Sequence, residues 1–357
     1  MKPEIFKLTI KTASRIIVKK KLVAFIALSL LVFQVPSYSQ EEKPFKVWLS
    51  ELRTEAEGRG FSKKSIDSAF SEIKEPVKRI VSSDRNQPEV VESYAGYLNR
   101  RVTAWRKING KKMIKKHQEL LQKIAREYGV QPRFIVAIWG METNYGTVPL
   151  KESIFSVLAT LAYDKRRADF FRAQFFAALT ILDKGLAPYE KMKSSWAGAM
   201  GQCQFMPENY LKYAVDYDKD GKRDIWDTEA DVFASIANYL SSSGWKDHQT
   251  WGRRVILPDI PEEDLLAKRP TDLAPVKECE RYGDLKVWKD LQEWQALGVR
   301  RLNGNDLPTR SIPATLIIGD PKDNKGYIIY GDFCSIMRFN PAFKYAIAIG
   351  LLADQLR

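Results

Sequence analysis

Apolar residues fall at helical spacing along most of this chain. From Glu41 to Lys112 the pattern is polar, with Phe45, Trp48, Leu49 and Leu52 recurring one turn apart, which predicts a helical entry region. A helix is predicted over 115–128 and stopped by Gly129; Pro132 then falls in the first turn of the next helix, where a missing N–H removes no hydrogen bond. That next helix carries the unbroken apolar run Phe134 to Met141. Helical periodicity continues over 153–184 and 229–241. After Trp251 the pattern changes. Prolines at 258, 261, 270 and 275, short alternations over 287–299 and strand-like runs at 315–318 and 327–330 predict a smaller, partly β region. An apolar helix over 342–356 is expected to pack back on the centre. The chain thus reads as mainly α: an N-terminal helical region at 40–114, a central core at 115–251, a mixed α/β region at 252–332 and a returning C-terminal segment at 333–357.

The first 39 residues do not belong to this pattern. A basic stretch through Lys21, an apolar run from Leu22 to Phe33 and the small-residue site Ser37-Tyr38-Ser39 read as a signal peptide, hence export. The apolar run is shorter than the ~20 residues a membrane helix needs, with an uncleaved anchor as the alternative. This leader carries seven Lys/Arg against one Glu; removing that net six from the formal +13 leaves +7. The surplus suits an anionic polymer but is spread without a dense basic tract, and export argues against nucleic acid as the partner. Cys203, Cys279 and Cys334 allow one disulfide and leave one thiol over. Only His117 and His248 occur, so a His-rich zinc site is excluded and a Ser/His/Asp triad is poorly served. The chemistry should run on carboxylates.

Glu142 closes the apolar run and is followed by Thr143, Asn144, Tyr145 and the breaker Gly146. Partial desolvation beside Ile138 and Trp139, together with the negative end of the helix dipole, is expected to raise its pKa, as a general acid near neutral pH requires. A carboxylate that merely meets solvent at a helix end is the plain alternative. The stretch Ser194-Ser195-Trp196-Ala197-Gly198-Ala199-Met200-Gly201-Gln202-Cys203-Gln204-Phe205-Met206-Pro207 supplies small residues that let backbone approach a ligand, and polar ones that can bond a sugar. Tight helix packing would explain the same stretch.

The run 216–227 places Asp216, Asp218 and Asp220 at loop positions 1, 3 and 5, Gly221 at 6, Lys222 at 7 and Ile225 at 10, the spacing of an EF-hand calcium loop. Helical flanks at 208–215 and 229–241 complete the pattern. Position 12 is Asp227, shorter than the usual bidentate glutamate, so either the loop tightens or a later acid such as Asp231 closes the site. A structural calcium ion is the expected cofactor.

These segments, AIWGMETNYG, SSWAGAMGQCQFMP, DYDKDGKRDIWD, SIANYLSSSGW and RFNPAFKYAIAIGLLAD, resemble the lytic murein transglycosylases of the membrane-bound B type, over about 89–353. The resemblance implies a lysozyme-like helical core with an EF-hand-like calcium loop. It also implies a periplasmic or secreted enzyme acting on peptidoglycan glycan strands, and non-hydrolytic cleavage of the MurNAc–GlcNAc bond with Glu142 as the single acid/base. By the same resemblance Ser195, Gln204 and Tyr239 line the saccharide cleft, Asn340 and Tyr345 face it from the C-terminal segment, and Arg166 and Arg167 contact the peptide side of murein. Phe339 and Ala342 depart from the family's tyrosine and serine. A hydrolytic muramidase, a catalytically silent peptidoglycan-binding protein and a thiol enzyme using Cys203 with His248 are the competing readings.

Overall fold

The computed structural model describes residues 43–86, 91–319 and 324–357; the expected signal peptide lies outside them. The entry region consists of α1 (Phe45–Gly58), α2 (Lys63–Phe70), α3 (Lys78–Arg85), α4 (Tyr94–Arg101) and α5 (Ala104–Lys116). Side-chain caps from Ser62, Ser93 and Thr103 start α2, α4 and α5. There follow α6 (Gln118–Tyr128), closed by Gly129 in the left-handed conformation, and α7 (Pro132–Thr143), opened by its proline.

Helix α7 is the axis of the core. Phe134, Ile135, Val136, Ala137 and Ile138 are all fully buried, the mark of a helix enclosed on every side. Each such Ile, Val or Phe contributes about 1.5–3 kcal/mol of burial free energy. The periodicity over 153–184 resolves into two helices, α8 (Ile154–Tyr163) and α9 (Ala168–Asp183), because the polar run 164–167 interrupts the apolar face. A two-stranded ribbon pairs β1 (Glu152–Ser153) with β2 (Lys193–Ser194). Then come α10 (Pro207–Tyr213) and α11 (Glu229–Ser242).

The later region is a five-stranded antiparallel sheet formed by β3 (Gly252–Ile256), β4 (Trp288–Asp290), β5 (Arg300–Arg301), β6 (Pro313–Ile318) and β7 (Lys325–Ile329), in the order β4-β6-β7-β3-β5. Two short helices, α12 (Glu262–Leu265) and α13 (Leu291–Ala296), lie in its connections. Alternation along the strands divides the buried residues between two cores. Ile317, Tyr327 and Ile329 join the helical core, whereas Val255, Ala314, Leu316 and Ile328 pack with Leu291 and Trp294 in a second cluster. The chain returns through α14 (Gly331–Phe339) and α15 (Phe343–Gln355). Gly350 marks how closely α15 crosses the core: a Cβ there would lie 2.2 Å from the Trp251 ring. Cys279 and Cys334 form a disulfide that ties the segment before β4 to α14, and Cys203 is the remaining, buried thiol. No helix among the described residues is long and apolar enough to cross a membrane.

Candidate active site

Glu142 is the penultimate residue of α7, half-buried at the end of an otherwise enclosed helix. The helix stops there because Asn144 and Tyr145 both turn left-handed, with φ of 50° and 63°. That conformation is uncommon for non-glycine residues and has to be held by its surroundings. Two residues hold it. Arg106 donates from Nε to the carbonyl of Gly140 and to Asn144 Oδ1, each at 3.0 Å. Tyr145 folds back over Gly140, where a Cβ would lie 2.4 Å from its ring, and donates its hydroxyl to the Arg106 carbonyl at 2.6 Å.

From the opposite wall, Tyr345 in the first turn of α15 donates its hydroxyl to Glu142 Oε1 at 2.5 Å. The phenol is buried, and burial together with the neighbouring Glu142 carboxylate pushes its pKa well above the ordinary value, with Arg101 pulling the other way. It therefore stays protonated and donating across the physiological range. The site thus joins a carboxylate to a permanent neutral donor, an arrangement suited to proton transfer.

Gln202, which the sequence reading did not single out, fixes the other side of α7. Its Oε1 accepts from Trp139 Nε1 at 2.7 Å, its Nε2 donates to the Trp226 carbonyl at 2.6 Å, and its carbonyl accepts from Thr143 Oγ1 at 3.2 Å. Its own N–H reaches the Ile225 carbonyl at 2.7 Å. One side chain thus couples the end of α7 to the aspartate loop. Its position within a run of small residues was the only sequence signal for this role.

The other expected site residues are distributed unevenly. Ser195 and Gln204 are half-buried on the turns between β2 and α10. The Ser195 hydroxyl accepts from the amides of Ala197 and Ala199, and Gln204 donates to the Gly201 carbonyl at 2.9 Å. Cys203, between them, is close enough to Glu142 for that charge to act on it; burial foremost, then Glu142, pushes the thiol well up. No thiolate nucleophile forms there, and His248 sits exposed beside Asp247, so the thiol reading fails. Tyr239, expected on the cleft, is instead buried, its hydroxyl given to the Arg338 carbonyl at 2.5 Å and its ring packed on Phe205 and Phe339. Phe339 also meets Phe205 at 5.6 Å, which brings the segment of Asn340 against that of Gln204. Arg166 and Arg167 stand before α9 and bind the buried carboxylate of Asp84.

At the aspartate loop, one carboxylate oxygen from each of Asp216, Asp218 and Asp231 lies within 4.8 Å of the others. Asp231 is fully buried and accepts from the amides of Tyr217 and Asp224, both at 2.7 Å. Burial, with Asp218 adding to it, raises its pKa. Asp216 Oδ1 is buried without a hydrogen-bond partner. Clustered carboxylates with an orphaned oxygen fit a hard, oxygen-ligated cation. Asp220 is turned to loop amides, accepting from Lys222 N at 2.8 Å. Asp227, the expected twelfth ligand, points away into an ion pair with Lys191 at 2.7 Å. Asp231 takes its place in the cluster because the first turn of α11 directs it inward, whereas Lys191 draws Asp227 outward.

The helical architecture built around α7 is shared with known proteins. The transglycosylase SLT domain family model matches residues 44–354, and the chain belongs to that family. The membrane-bound lytic murein transglycosylase B of Escherichia coli (strain K12) is 32% identical over 195 residues, 52% of this chain and 54% of that protein. The match therefore spans about half of that relative's length. Among solved structures, SltB3 from Pseudomonas aeruginosa in complex with NAG-anhNAM-pentapeptide superposes with a TM-score of 0.76 at 37% identity, covering 87% of this chain and 79% of that one. The Escherichia coli lytic transglycosylase SLT35 in complex with calcium gives 0.69 at 25% identity, covering 86% and 91%. The mainly helical, lysozyme-like fold with a small β region is that of these relatives.

Proposed function

We propose that this protein is a lytic transglycosylase that cleaves the MurNAc–GlcNAc β-1,4 bond of peptidoglycan without water, with Glu142 as its one acid/base. The observation that carries the reading is the Tyr345–Glu142 hydrogen bond at the end of α7, in a chain of the transglycosylase SLT family. Glu142 protonates the glycosidic oxygen, the C1–O bond breaks, and the muramic ring passes through an oxocarbenium-like state. The sugar's own C6 hydroxyl then bonds to C1 and returns its proton to Glu142, giving a 1,6-anhydro end. Because the substrate supplies the nucleophile, one carboxylate suffices where glycosidases ordinarily use two. Tyr345 positions Glu142 and holds its carboxylate toward the scissile oxygen. The relative SltB3 was solved with an anhydro-muropeptide, which is the product this reading requires.

Ser195, Gln204 and Asn340 line the glycan cleft in this reading, and Tyr239 supports its floor from beneath. Asp216, Asp218 and Asp231 hold a calcium ion whose role is structural, with Gln202 carrying the order of that loop to α7. A peptidoglycan substrate and the leader at residues 1–39, read as a signal peptide, support a periplasmic location. Mass spectrometry of products released from sacculi tests the activity. Anhydro-muropeptides support it; muropeptides heavier by one water would mean a hydrolytic muramidase, and no product would mean a silent binding protein.

A further inference from the structure

Helices α7 and α15 run antiparallel, and side-chain bonds join them at both ends. At one end Tyr345 of α15 donates its hydroxyl to Glu142 of α7 at 2.5 Å. At the other, Arg133 in the first turn of α7 donates from Nη1 to Asp354 Oδ1 in the last turn of α15 at 2.6 Å. The two spans match: Arg133 and Glu142 are nine residues apart, as are Tyr345 and Asp354, which is about 13.5 Å along either axis. Nine residues are also about two and a half turns, so on each helix the second bond lies on the flank opposite the first. With one bond on each flank and at each end, α15 is opposed both in sliding along α7 and in rolling over it.

Burial alone is a weaker guide to register. The residues that α15 buries include Ala346, Ile347, Ala348, Ile349 and Gly350, and the attraction of such a surface is non-directional. The Arg133–Asp354 pair is directional and partly desolvated, its side chains 14% and 29% exposed. Its members are held in turn. Arg133 Nη2 donates to Thr250 Oγ1 at 3.1 Å, and Trp251 Nε1 donates to the second oxygen of Asp354 at 3.1 Å while its ring lies against Gly350. A shift of α15 by about 1 Å would stretch the bond between Tyr345 and Glu142 to the limit of a hydrogen bond.

Resting on the proposed activity, we infer that Arg133 and Asp354 are positioning residues: from the far end of the helix pair they set the register that brings the Tyr345 hydroxyl onto Glu142. The test is steady-state cleavage of glycan strands by the full chain carrying Asp354→Asn, Tyr345→Phe or both, with melting temperatures recorded and rates counted per folded molecule. Asp354→Asn keeps the shape of the side chain and removes the charge that holds Arg133. It is expected to lower kcat roughly threefold with KM unchanged, and to cause no further loss in the Tyr345→Phe protein, where the bond it positions is already gone. Arg133→Gln breaks the same pair from the α7 side and is expected to repeat this pattern. Arg357→Gln removes the exposed partner of the same carboxylate without touching α7, and kcat is expected to stay within about twofold of the wild type. Wild-type kcat in Asp354→Asn, a full multiplication of the two losses in the double variant, or an equal loss in Arg357→Gln would each overturn the proposal. If the wild type yields no anhydro product, the proposed activity fails and denaturant unfolding judges the positioning. The stability losses of Asp354→Asn and Tyr345→Phe are then expected to be non-additive, whereas independent sites this far apart add. Additive losses would overturn it.

Discussion

The end of α7 and the aspartate loop both concentrate acids, yet they are built in opposite ways. At Glu142 one carboxylate meets a buried phenol that keeps its proton, whereas at the loop Asp216, Asp218 and Asp231 converge within 4.8 Å of one another. A lone acid beside a neutral donor can pass a proton back and forth; three crowded carboxylates repel until a cation neutralises them. On the proposed reading the difference separates chemistry from scaffolding, and Gln202 bridges the two by bonding Trp139 on one side and Trp226 on the other.

That bridge gives the sharpest way to break the comparison. Gln202→Ala should leave Trp139 Nε1 and the Trp226 carbonyl without their partner and cost about 2–4 kcal/mol, read as a lower melting temperature. It should also reduce cleavage in the protein that stays folded, since the end of α7 loses its brace. A loss of stability with normal turnover would uncouple the two regions.

The next largest effect is expected on the acid side of a different buried carboxylate. Asp332, in the first turn of α14, is pushed by burial up to about 7, with Glu278 and Asp247 acting in the same direction and Lys246 opposing. The folded protein binds that proton more tightly than the unfolded chain, so the contribution of this group to stability is greatest at low pH. It declines as pH rises from about 4 through 7 and levels off above. Asp332→Asn should remove this decline and raise stability at pH 8 by on the order of 2–4 kcal/mol. A melting curve that shifts equally at pH 5 and pH 8 would contradict it.

On the loop, calcium at a hundred times its dissociation constant should add about 2.7 kcal/mol to the stability of the wild type. Asp216→Asn combined with Asp231→Asn should abolish that gain while Asp227→Asn, which alters only the ion pair with Lys191, should largely keep it. Equal melting temperatures with calcium and with a chelator would remove the ion from the account. The smallest effect is foreseen for Tyr345→Phe, which deletes one hydroxyl: kcat should fall roughly tenfold, with KM little changed.

The helical architecture was legible because periodicity and punctuation agree: Gly129 ends α6, Pro132 opens α7, the strand at 315–318 falls inside β6, and the one at 327–330 overlaps β7 except for Tyr330, which caps α14. Glu142 stood out because a carboxylate ends a run of buried residues. What periodicity could not show was which polar groups meet across distant segments. Tyr239 reads as a cleft aromatic but is enclosed by Phe205, Tyr213 and Phe339. Arg166 and Arg167 are bound by Asp84, some eighty residues earlier. Gln202 acts through contacts to four separate residues, and the pairing of Cys279 with Cys334 depends on a fold that brings residues 55 apart in sequence to a Cα separation of 5.3 Å.

The most direct measurement of the central claim is the rate of anhydro-muropeptide release from sacculi by the wild-type protein and by Glu142→Gln, with glycan binding and melting temperature recorded for both. Loss of a general acid should lower the rate by at least about a hundredfold, with binding and folding retained. Release of the same anhydro products at the wild-type rate by Glu142→Gln would contradict the account.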